Sequence, residues 1–315
     1  MIKNILFRAD SSSTIGTGHI MRDLVLASQY KDANIIFAVQ DLDGNINHKI
    51  IEASYKIKIL KSNDIKELNK LIKKENINLL VIDHYGIDYN CEKKLKQDNN
   101  ELKILSFDDT YEKHYCDILL NHNISGDKKR YKNLVPNDCE LRVGSKYTLL
   151  REEFIKEKNI KYKKNNKTKT IFIAMGGADS YNINIKILKL LKKISNIQAN
   201  IVTTSANNNL YKLQKYCKDK EWISLHIDSN NIAKLMKKSD IGIVTPSVIV
   251  NEIVNMGIPF ISIMVTKNQL DIYKFLKKNL FYVLKINNIN LLSNYVKEIL
   301  KDNKNQNKKI RKLLK

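Results

Sequence analysis

RADSSSTIGTGHIMR, residues 8–22, is the stretch that decides how the first half of the chain folds. A short apolar run at residues 2–7 precedes it and predicts a buried strand, while apolar residues at helical spacing follow it and predict a helix. Gly16 and Gly18 permit backbone conformations that other residues avoid, and they let a ligand approach the main chain. Because free N–H groups and the positive end of the helix dipole meet at such a junction, the loop suits an anion.

His19 stands at the expected start of this helix, beside the anion loop. The helix dipole disfavours a charged imidazole there, so we expect a neutral His19 that can accept a proton. The GTGH pattern is also part of a dinucleotide-binding fingerprint, with Asp41 as a ribose ligand, although Met21 replaces its third glycine. Glycines that only shape a turn are the other alternative.

Length and composition indicate two domains. The chain has 315 residues, of which 43% are hydrophobic, which is too long for one typical core. No apolar run reaches the roughly 18 residues of a membrane span, and the N-terminus lacks the apolar stretch of a secretory signal. We therefore expect a cytoplasmic monomer without a membrane span. The four cysteines are far apart and are expected to be reduced thiols, with neither zinc nor a disulfide: Cys91, Cys116, Cys139 and Cys217.

The formal net charge of +22 suggests a nucleic acid or an anionic surface as a partner. However, only six of the basic residues are arginines, and the lysines are scattered along helical faces, as on a solvated surface. Asn, Ile and Lys are enriched together, as happens with biased codon usage. The sequence therefore favours no nucleic-acid partner, and a nucleic-acid or anionic-surface binder is kept as an alternative.

Short apolar runs alternate with amphipathic segments in both halves of the chain. This alternation predicts parallel sheets with helices on both faces, that is, an α/β chain with two Rossmann-like domains facing a central cleft. The expected limits are residues 1–156 for the first domain, 157–169 for a lysine- and asparagine-rich linker, 170–300 for the second domain and 301–315 for a frayed, charged tail.

Polar side chains cluster at two predicted strand ends of the first domain. In parallel sheets, ligands bind outside the carboxyl ends of the strands. IDHYG and SFDD bring five polar residues to that edge: Asp83, His84, Tyr85, Asp108 and Asp109. The carboxylates could also hold a metal, but neither HxxxH nor DxD spacing supports a metal site.

MGGADSYN, residues 175–182, repeats the strand–glycine–helix pattern in the second half. Gly176 and Gly177 would allow phosphates to approach the backbone, and the helix that follows would supply N–H donors. Two glycine loops suit a nucleoside diphosphate better than a dinucleotide. A plain tight turn is the alternative.

TPSVIVNEIVNMGIP, residues 245–259, predicts a helix with Ser247 as its N-cap and Gly257 at its end. Glu252, about one turn into this helix, could accept both hydroxyls of a ribose, or could be an exposed carboxylate. Arg151 precedes the linker and could bond a phosphate or tie the domains together, the second role being slightly favoured.

Several segments, in this order, resemble the UDP-2,4-diacetamido-2,4,6-trideoxy-beta-L-altropyranose hydrolases of pseudaminic acid biosynthesis. They are RADSSSTIGTGHIMRDLVLA, LLVIDHYGI, ILSFDD, CDILLN, LVPNDCELRVG, LLREEF, MGGADS and SVIVNE. The resemblance extends to about Lys277 and is densest in the first half. It implies a glycosyltransferase B-type fold, similar to the N-acetylglucosaminyl transferase that makes lipid II. It also implies hydrolysis of a UDP-sugar without metal or cofactor, by attack of water at the anomeric carbon with inversion.

The resemblance implies roles for individual residues. His19 is the implied catalytic residue, and Tyr85 an implied contact near the reacting sugar. For the UDP, the resemblance implies contacts with Gly176, Gly177, Ser247 and Glu252. The expected substrate-binding set is completed from the residues themselves, by Gly16, Gly18, Arg151 and Asn251. A UDP-sugar-dependent glycosyltransferase on the same fold is the alternative function. It would need an acceptor site, and no contiguous apolar loop indicates one for a lipid.

Overall fold

Both halves of the chain form parallel sheets in which strands alternate with helices. The computed structural model describes residues 4–163, 167–179 and 181–314. The chain divides into two compact units, Met1–Leu149 and Leu150–Lys315. The start of the first predicted strand, residues 164–166 of the predicted linker, and Ser180 of the MGGADS segment lie outside the described residues.

The described part of the first unit contains one seven-stranded parallel sheet in the order β3-β2-β1-β4-β5-β6-β7. Its strands are β1 (Asn4–Ala9), β2 (Asn34–Val39), β3 (Lys56–Ile59), β4 (Leu79–Asp83), β5 (Lys103–Phe107), β6 (Ile118–Asn121) and β7 (Glu140–Val143). Its helices are α1 (Gly18–Ala27), α2 (Asn47–Glu52), α3 (Ile65–Lys74) and α4 (Tyr89–Asp98). The strand order reverses beside β1, which is the point where doubly wound sheets bind ligands.

The described part of the second unit contains a six-stranded parallel sheet in the order β10-β9-β8-β11-β12-β13. Its strands are β8 (Lys169–Ala174), β9 (Ile197–Thr203), β10 (Ile223–Ile227), β11 (Ile241–Val244), β12 (Phe260–Met264) and β13 (Tyr282–Lys285). Its helices are α5 (Glu152–Lys158), α6 (Ile183–Leu191), α7 (Leu210–Cys217), α8 (Ile232–Lys238), α9 (Val248–Asn255), α10 (Leu270–Lys278), α11 (Leu292–Lys301) and α12 (Lys304–Leu313).

The central strands are apolar because helices cover both faces of each sheet. β4 reads LLVID, and all five of its side chains are buried. In the register of the sheet, Phe7 of β1 lies between Phe37 of β2 and Val81 of β4. The same register places Ala9 beside Asp83. The loop that follows β1 therefore starts at the edge of the sheet where β4 ends.

The predicted alternation of strands and helices is confirmed in both units. Two strands were not predicted, β7 (ELRV) and β13 (YVLK), and each lies at the edge of its sheet. Edge strands are short and carry charges, so they lack the apolar run that marks a buried strand. The helix α2 is also short and was not predicted.

The predicted limits place residues up to 156 in the first domain, whereas the compact units divide after Leu149. Accordingly, α5 packs against α8 and α9 in the second unit. Glu153 of α5 accepts a hydrogen bond from the N–H of Ala233 at the start of α8, at 3.2 Å. This contact could not be foreseen, because the two residues are far apart in sequence.

The charged tail forms the helix α12 rather than a frayed segment. Ile310 is buried, and the side chain of Gln306 bonds the backbone of Phe260 twice. The N–H of Phe260 donates to Oε1 at 3.3 Å, and Nε2 donates to the carbonyl at 3.2 Å. The helix is otherwise polar, so its apolar periodicity was too sparse to predict that it docks.

Cys116 and Cys139 lie just before β6 and β7, and their Sγ atoms are 3.8 Å apart as free thiols. Pairing of these two strands brings together cysteines that the sequence separates. Within the described residues, no helix is long and apolar enough to cross a membrane.

A polar cluster is buried between α4 and β5. Glu92 accepts hydrogen bonds from Ser106 Oγ at 2.6 Å, from His114 Nδ1 at 2.8 Å and from the N–H of Tyr115 at 2.5 Å. Burial alone would lower the pKa of His114, but the carboxylates of Asp108 and Glu92 outweigh it and raise that pKa to about 10. His114 is therefore a buried cation at neutral pH.

This cluster predicts how the stability of the chain depends on pH. The folded-state pKa of His114 lies above its ordinary value, so its contribution is complete below about pH 6.5 and is lost as the pH rises through about 10. We expect His114→Gln to lower the free energy of unfolding by about 2–4 kcal/mol at pH 6, because Glu92 loses its partner. Urea unfolding followed by circular dichroism at pH 6, 8 and 9.5 measures this.

The exposed His48 supplies the control, His48→Gln. That variant should keep the stability and the pH dependence of the unchanged chain. If His114→Gln and His48→Gln lose stability in parallel as the pH rises, His114 is not the cation of this cluster.

Candidate active site

The loop between β1 and α1 is held by its own short-range hydrogen bonds. Ser12 Oγ accepts from the N–H of Ile15 at 2.9 Å, and the N–H of Gly16 donates to the carbonyl of Ser12 at 2.9 Å. Gly16 has φ +87°, a conformation that side chains disfavour. No heavy atom lies within 4 Å of the position that a Cβ of Gly18 would take. The space beside the first turn of α1 is therefore open to a ligand.

The N-terminus of α1 has no side-chain cap from Thr17 and no acidic residue in its first turn. Its free N–H groups are thus unopposed by a carboxylate of that turn. Such a helix start can accept an anion, and the anion loop stays a prediction.

His19 is bonded to a buried carboxylate at the end of β4. Its Nδ1 lies 2.6 Å from Oδ1 of Asp83, which is 2% exposed. A carboxylate can only accept, so this contact requires the hydrogen of the neutral imidazole on Nδ1. Nε2 is then the atom of His19 that can take up a proton.

Arg22 binds both oxygens of the same carboxylate. Its Nε donates to Oδ2 of Asp83 at 2.5 Å, and its terminal Nη2 donates to Oδ1. The guanidinium also lies over the ring of Phe107, 4.9 Å from its centroid. Burial would raise the pKa of Asp83, but Arg22 and His19 hold it far below its usual range. Asp83 therefore remains a carboxylate that orients His19.

Tyr85, which the resemblance implies as a sugar contact, lies beside His19. The two rings meet edge to face, with centroids 5.2 Å apart. The Tyr85 hydroxyl donates to Oδ1 of Asp109 at 3.1 Å, and 67% of the residue is exposed. An exposed aromatic ring therefore lies next to the imidazole.

The structure separates the five polar residues that the sequence placed at this edge. Asp83, Tyr85 and Asp109 are close to His19 or Arg22, whereas Asp108 belongs to the His114 cluster. His84 points instead to the buried ion pair of Arg8 and Asp10, which are 2.7 Å apart. Its Nε2 lies 3.2 Å from Oδ2 of Asp10. In the described part of the chain, no group of three or more His, Cys, Asp or Glu side chains is arranged to hold a metal ion.

In the glycine loop of the second unit, the backbone at the two glycines is as expected, but the N–H groups at the start of the next helix are not free. Gly176 has φ +85°, and a Cβ on Gly177 would lie 2.8 Å from Oγ1 of Thr204. Asp179, however, accepts the N–H of Ile183 at 2.7 Å and that of Asn184 at 3.3 Å. These N–H groups at the start of α6 are therefore not available to a phosphate, and that expectation was wrong.

The N-terminus of α9 is open instead. Ser247 occupies the N-cap position as predicted but makes no capping hydrogen bond, and the first turn has no acidic residue. Its Oγ lies 3.0 Å from Oγ1 of Thr245. Two hydroxyls and a set of free N–H groups thus meet at one point. Asn251, further along α9, is fully buried.

Glu252 and Arg151 form an ion pair inside the second unit. Glu252 is 6% exposed, and its Oε1 accepts from Arg151 Nε at 3.0 Å. Arg151 Nη1 also lies 2.7 Å from Oε1 of Glu153. Burial raises the pKa of Glu252, and Arg151 opposes this rise. The alternative that Glu252 is an exposed carboxylate is therefore wrong. Its contact with Arg151 links the start of α5 to α9.

Two Rossmann-like parallel units in succession define the glycosyltransferase B class of fold, and solved structures agree. MurG of Acinetobacter baumannii matches with a TM-score of 0.67 at 12% identity, over 99% of this chain and 94% of that chain. The UDP-GlcNAc 2-epimerase of Neisseria meningitidis, solved with UDP-GlcNAc bound, matches with a TM-score of 0.60 at 13% identity, over 98% and 94%. At these identities the likeness shows the fold.

Comparison with curated relatives identifies the family within this class. The chain is 47% identical over 266 residues to the UDP-2,4-diacetamido-2,4,6-trideoxy-beta-L-altropyranose hydrolase of Campylobacter jejuni, over 84% of this chain and 93% of that protein. It is 24% identical to the spore coat polysaccharide biosynthesis protein SpsG of Bacillus subtilis, over 83% of this chain and 77% of that protein. No family model matches the chain. The chain belongs to the family of UDP-2,4-diacetamido-2,4,6-trideoxy-beta-L-altropyranose hydrolases, which confirms the resemblance found in the sequence.

The Arg151–Glu252 pair predicts a stability effect in the second unit. We expect Arg151→Met to lower the free energy of unfolding by about 2–3 kcal/mol, because it leaves the buried Glu252 without its cation. Adding Glu252→Gln should restore part of this loss, since no charge then remains unpaired. Urea unfolding of the single and double variants measures the coupling.

Lys156→Met is the matched control on α5. Lys156 and Glu152 form an exposed pair at 2.7 Å, with side chains 70% and 76% exposed. Such a surface pair contributes about 0–1 kcal/mol. If Arg151→Met and Lys156→Met lower the free energy of unfolding equally, the buried pair contributes no more than the surface pair.

Proposed function

We propose that this chain hydrolyses UDP-2,4-diacetamido-2,4,6-trideoxy-beta-L-altropyranose to UDP and the free sugar, a step of pseudaminic acid biosynthesis. The 47% identity to the hydrolase of that name supports the substrate. The observation that carries the chemistry is the contact between His19 Nδ1 and Asp83, which leaves Nε2 as the proton acceptor.

In the proposed reaction, the oxygen of a water molecule attacks the anomeric carbon of the sugar. The bond between that carbon and the phosphate oxygen breaks, and its electron pair leaves with UDP. The water proton passes to Nε2 of His19, and Asp83 stabilises the imidazolium through Nδ1–H. A single displacement of this kind inverts the configuration at the anomeric carbon. General-base catalysis by one side chain contributes about 10²–10⁴-fold.

The second unit supplies the UDP site in this proposal. The open N-terminus of α9 and the hydroxyls of Thr245 and Ser247 suit a diphosphate, because N–H groups and hydroxyls donate to its oxygens. Gly176 and Gly177 let the backbone of the neighbouring loop come close to the same group. With these donors, the reaction is proposed to proceed without a metal ion.

Removal of the base should abolish most of the activity. We expect His19→Ala and His19→Asn to lower kcat for UDP release by at least about 10²-fold, with KM changed little, because binding of UDP does not use the imidazole. The assay contains the UDP-sugar, water and EDTA but no acceptor, and it records UDP together with the anomer that forms first.

His48→Ala, on the surface of α2, is the control and should remain fully active. Full activity in His19→Ala would refute the assignment of the base. UDP release only on addition of an acceptor would favour a glycosyltransferase, a function that solved proteins of this fold such as the spinosyn rhamnosyltransferase SpnG perform. Activity lost in EDTA and restored by a divalent cation would refute the metal-free step.

A separate measurement addresses the UDP site. Ser247→Ala should weaken the binding of UDP about 10- to 100-fold, because a hydrogen bond to a charged oxygen contributes about 1.5–3 kcal/mol. Isothermal titration with UDP alone measures this without turnover. Ser195→Ala, at an exposed turn, is the control. Equal affinities of the two variants for UDP would remove Ser247 from the site.

A further inference from the structure

Asp23 is a fully buried carboxyl group that the proposed reaction does not use. It lies on α1, one turn after His19, and is 0% exposed. Neither of its side-chain oxygens receives a hydrogen bond from an N–H or O–H donor in the described part of the chain. Its hydrogen-bonding neighbour is another carboxyl group, that of Asp83.

Two buried carboxyl groups in contact cannot both be ionised, because like charges at this distance repel strongly in a medium of low dielectric constant. One proton must therefore belong to the pair. Asp83 already accepts hydrogen bonds from His19 and Arg22 on both oxygens, whereas Asp23 has no such donors. The proton is therefore placed on Asp23, whose O–H can donate to Asp83.

The surrounding charges agree with this placement. Burial and the charge of Asp83 raise the pKa of Asp23 well above its usual range, and Arg22 opposes the rise only in part. Arg22 faces Asp109 as well, with Nη1 3.6 Å from Oδ2. His122, which follows β6, is neutral, because burial and the charge of Arg22 lower its pKa to about 3.

We propose that Asp23 is a positioning residue that keeps one proton next to Asp83, so that a single negative charge orients His19. This inference rests on the proposed role of His19 as the base. An ionised Asp23 would add a second negative charge behind the imidazole and favour its protonated form, which cannot accept a proton from water. The neutral acid avoids this and adds a third donor to the Asp83 carboxylate.

Carbon-13 NMR of the full chain with labelled aspartate carboxyls tests the proton directly. We expect one carboxyl that stays protonated at pH 7, that is absent in Asp23→Asn and that is kept in Asp32→Asn, a change at an exposed turn. Full ionisation of every aspartate in the unchanged chain at pH 7 would overturn the proposal without any variant.

Two substitutions test the positioning role. Asn keeps the size and a donor toward Asp83, so Asp23→Asn should keep kcat within about threefold and leave the acid limb of the kcat/KM profile unmoved. Asp23→Leu keeps the branching of the heavy atoms without a donor, and kcat should fall about tenfold with KM unchanged. A shift of the acid limb by about one pH unit in Asp23→Asn would mean that Asp23 is ionised in the unchanged chain.

The two proposals fail in different ways. Full activity in His19→Ala together with a protonated Asp23 would refute the base and leave the proton in place. An ionised Asp23 together with an inactive His19→Ala would refute the inference and leave the proposed function in place. Equal kcat values for Asp23→Asn and Asp23→Leu would show that the donor has no positioning role.

Discussion

The buried carboxylate of Asp83 is the interaction on which the first unit's site depends. It ends the central strand β4 and is bonded by two residues of α1, His19 and Arg22. The helix is therefore tied to the sheet at the point where the strand order reverses. The carboxylate has two effects there. It holds α1 against β4, and it selects the tautomer of His19 that has its hydrogen on Nδ1 and leaves Nε2 unprotonated. Because both donors come from the same turn of helix, His19 keeps its hydrogen bond to Asp83 only while that turn stays against the end of β4.

The N-termini of three helices differ in whether their N–H groups are free to bind an anion. The N-termini of α1 and α9 have no side-chain cap and no acid in the first turn, so their N–H groups can meet an anion. The N-terminus of α6 is closed by Asp179, which takes the N–H groups of Ile183 and Asn184. The resemblance of the two glycine loops is therefore only partial. The second loop offers a close approach to its backbone, and the charge stabilisation for UDP is proposed to come from α9.

Much of this could be predicted from sequence, because it depends on local signals. Apolar runs between amphipathic segments predicted the sheets, and the GTGH pattern predicted an anion loop with His19 at a helix start. Contacts that depend on register could not be predicted. Arg22 and Asp23 look like ordinary polar residues of an amphipathic helix until β4 brings Asp83 beside them, and Asp179 looks like part of a ligand loop until α6 begins above it. Short edge strands such as β13 have too few apolar residues to give a signal.

The charge that dominates the composition is not the charge that matters for the site. The described lysines are exposed or half-buried. Salt screens their charges there, so they need no partner of opposite charge. The groups around His19 are buried, so each charge needs a partner. In the part of the chain described around His19, Asp23 is the only buried acid whose oxygens receive no hydrogen bond from an N–H or O–H donor. Replacing such a cluster by apolar residues would often stabilise a fold, because burial of charge is costly. A cluster of one arginine and two touching carboxyls directly behind an imidazole is therefore better explained by its effect on that imidazole than by stability.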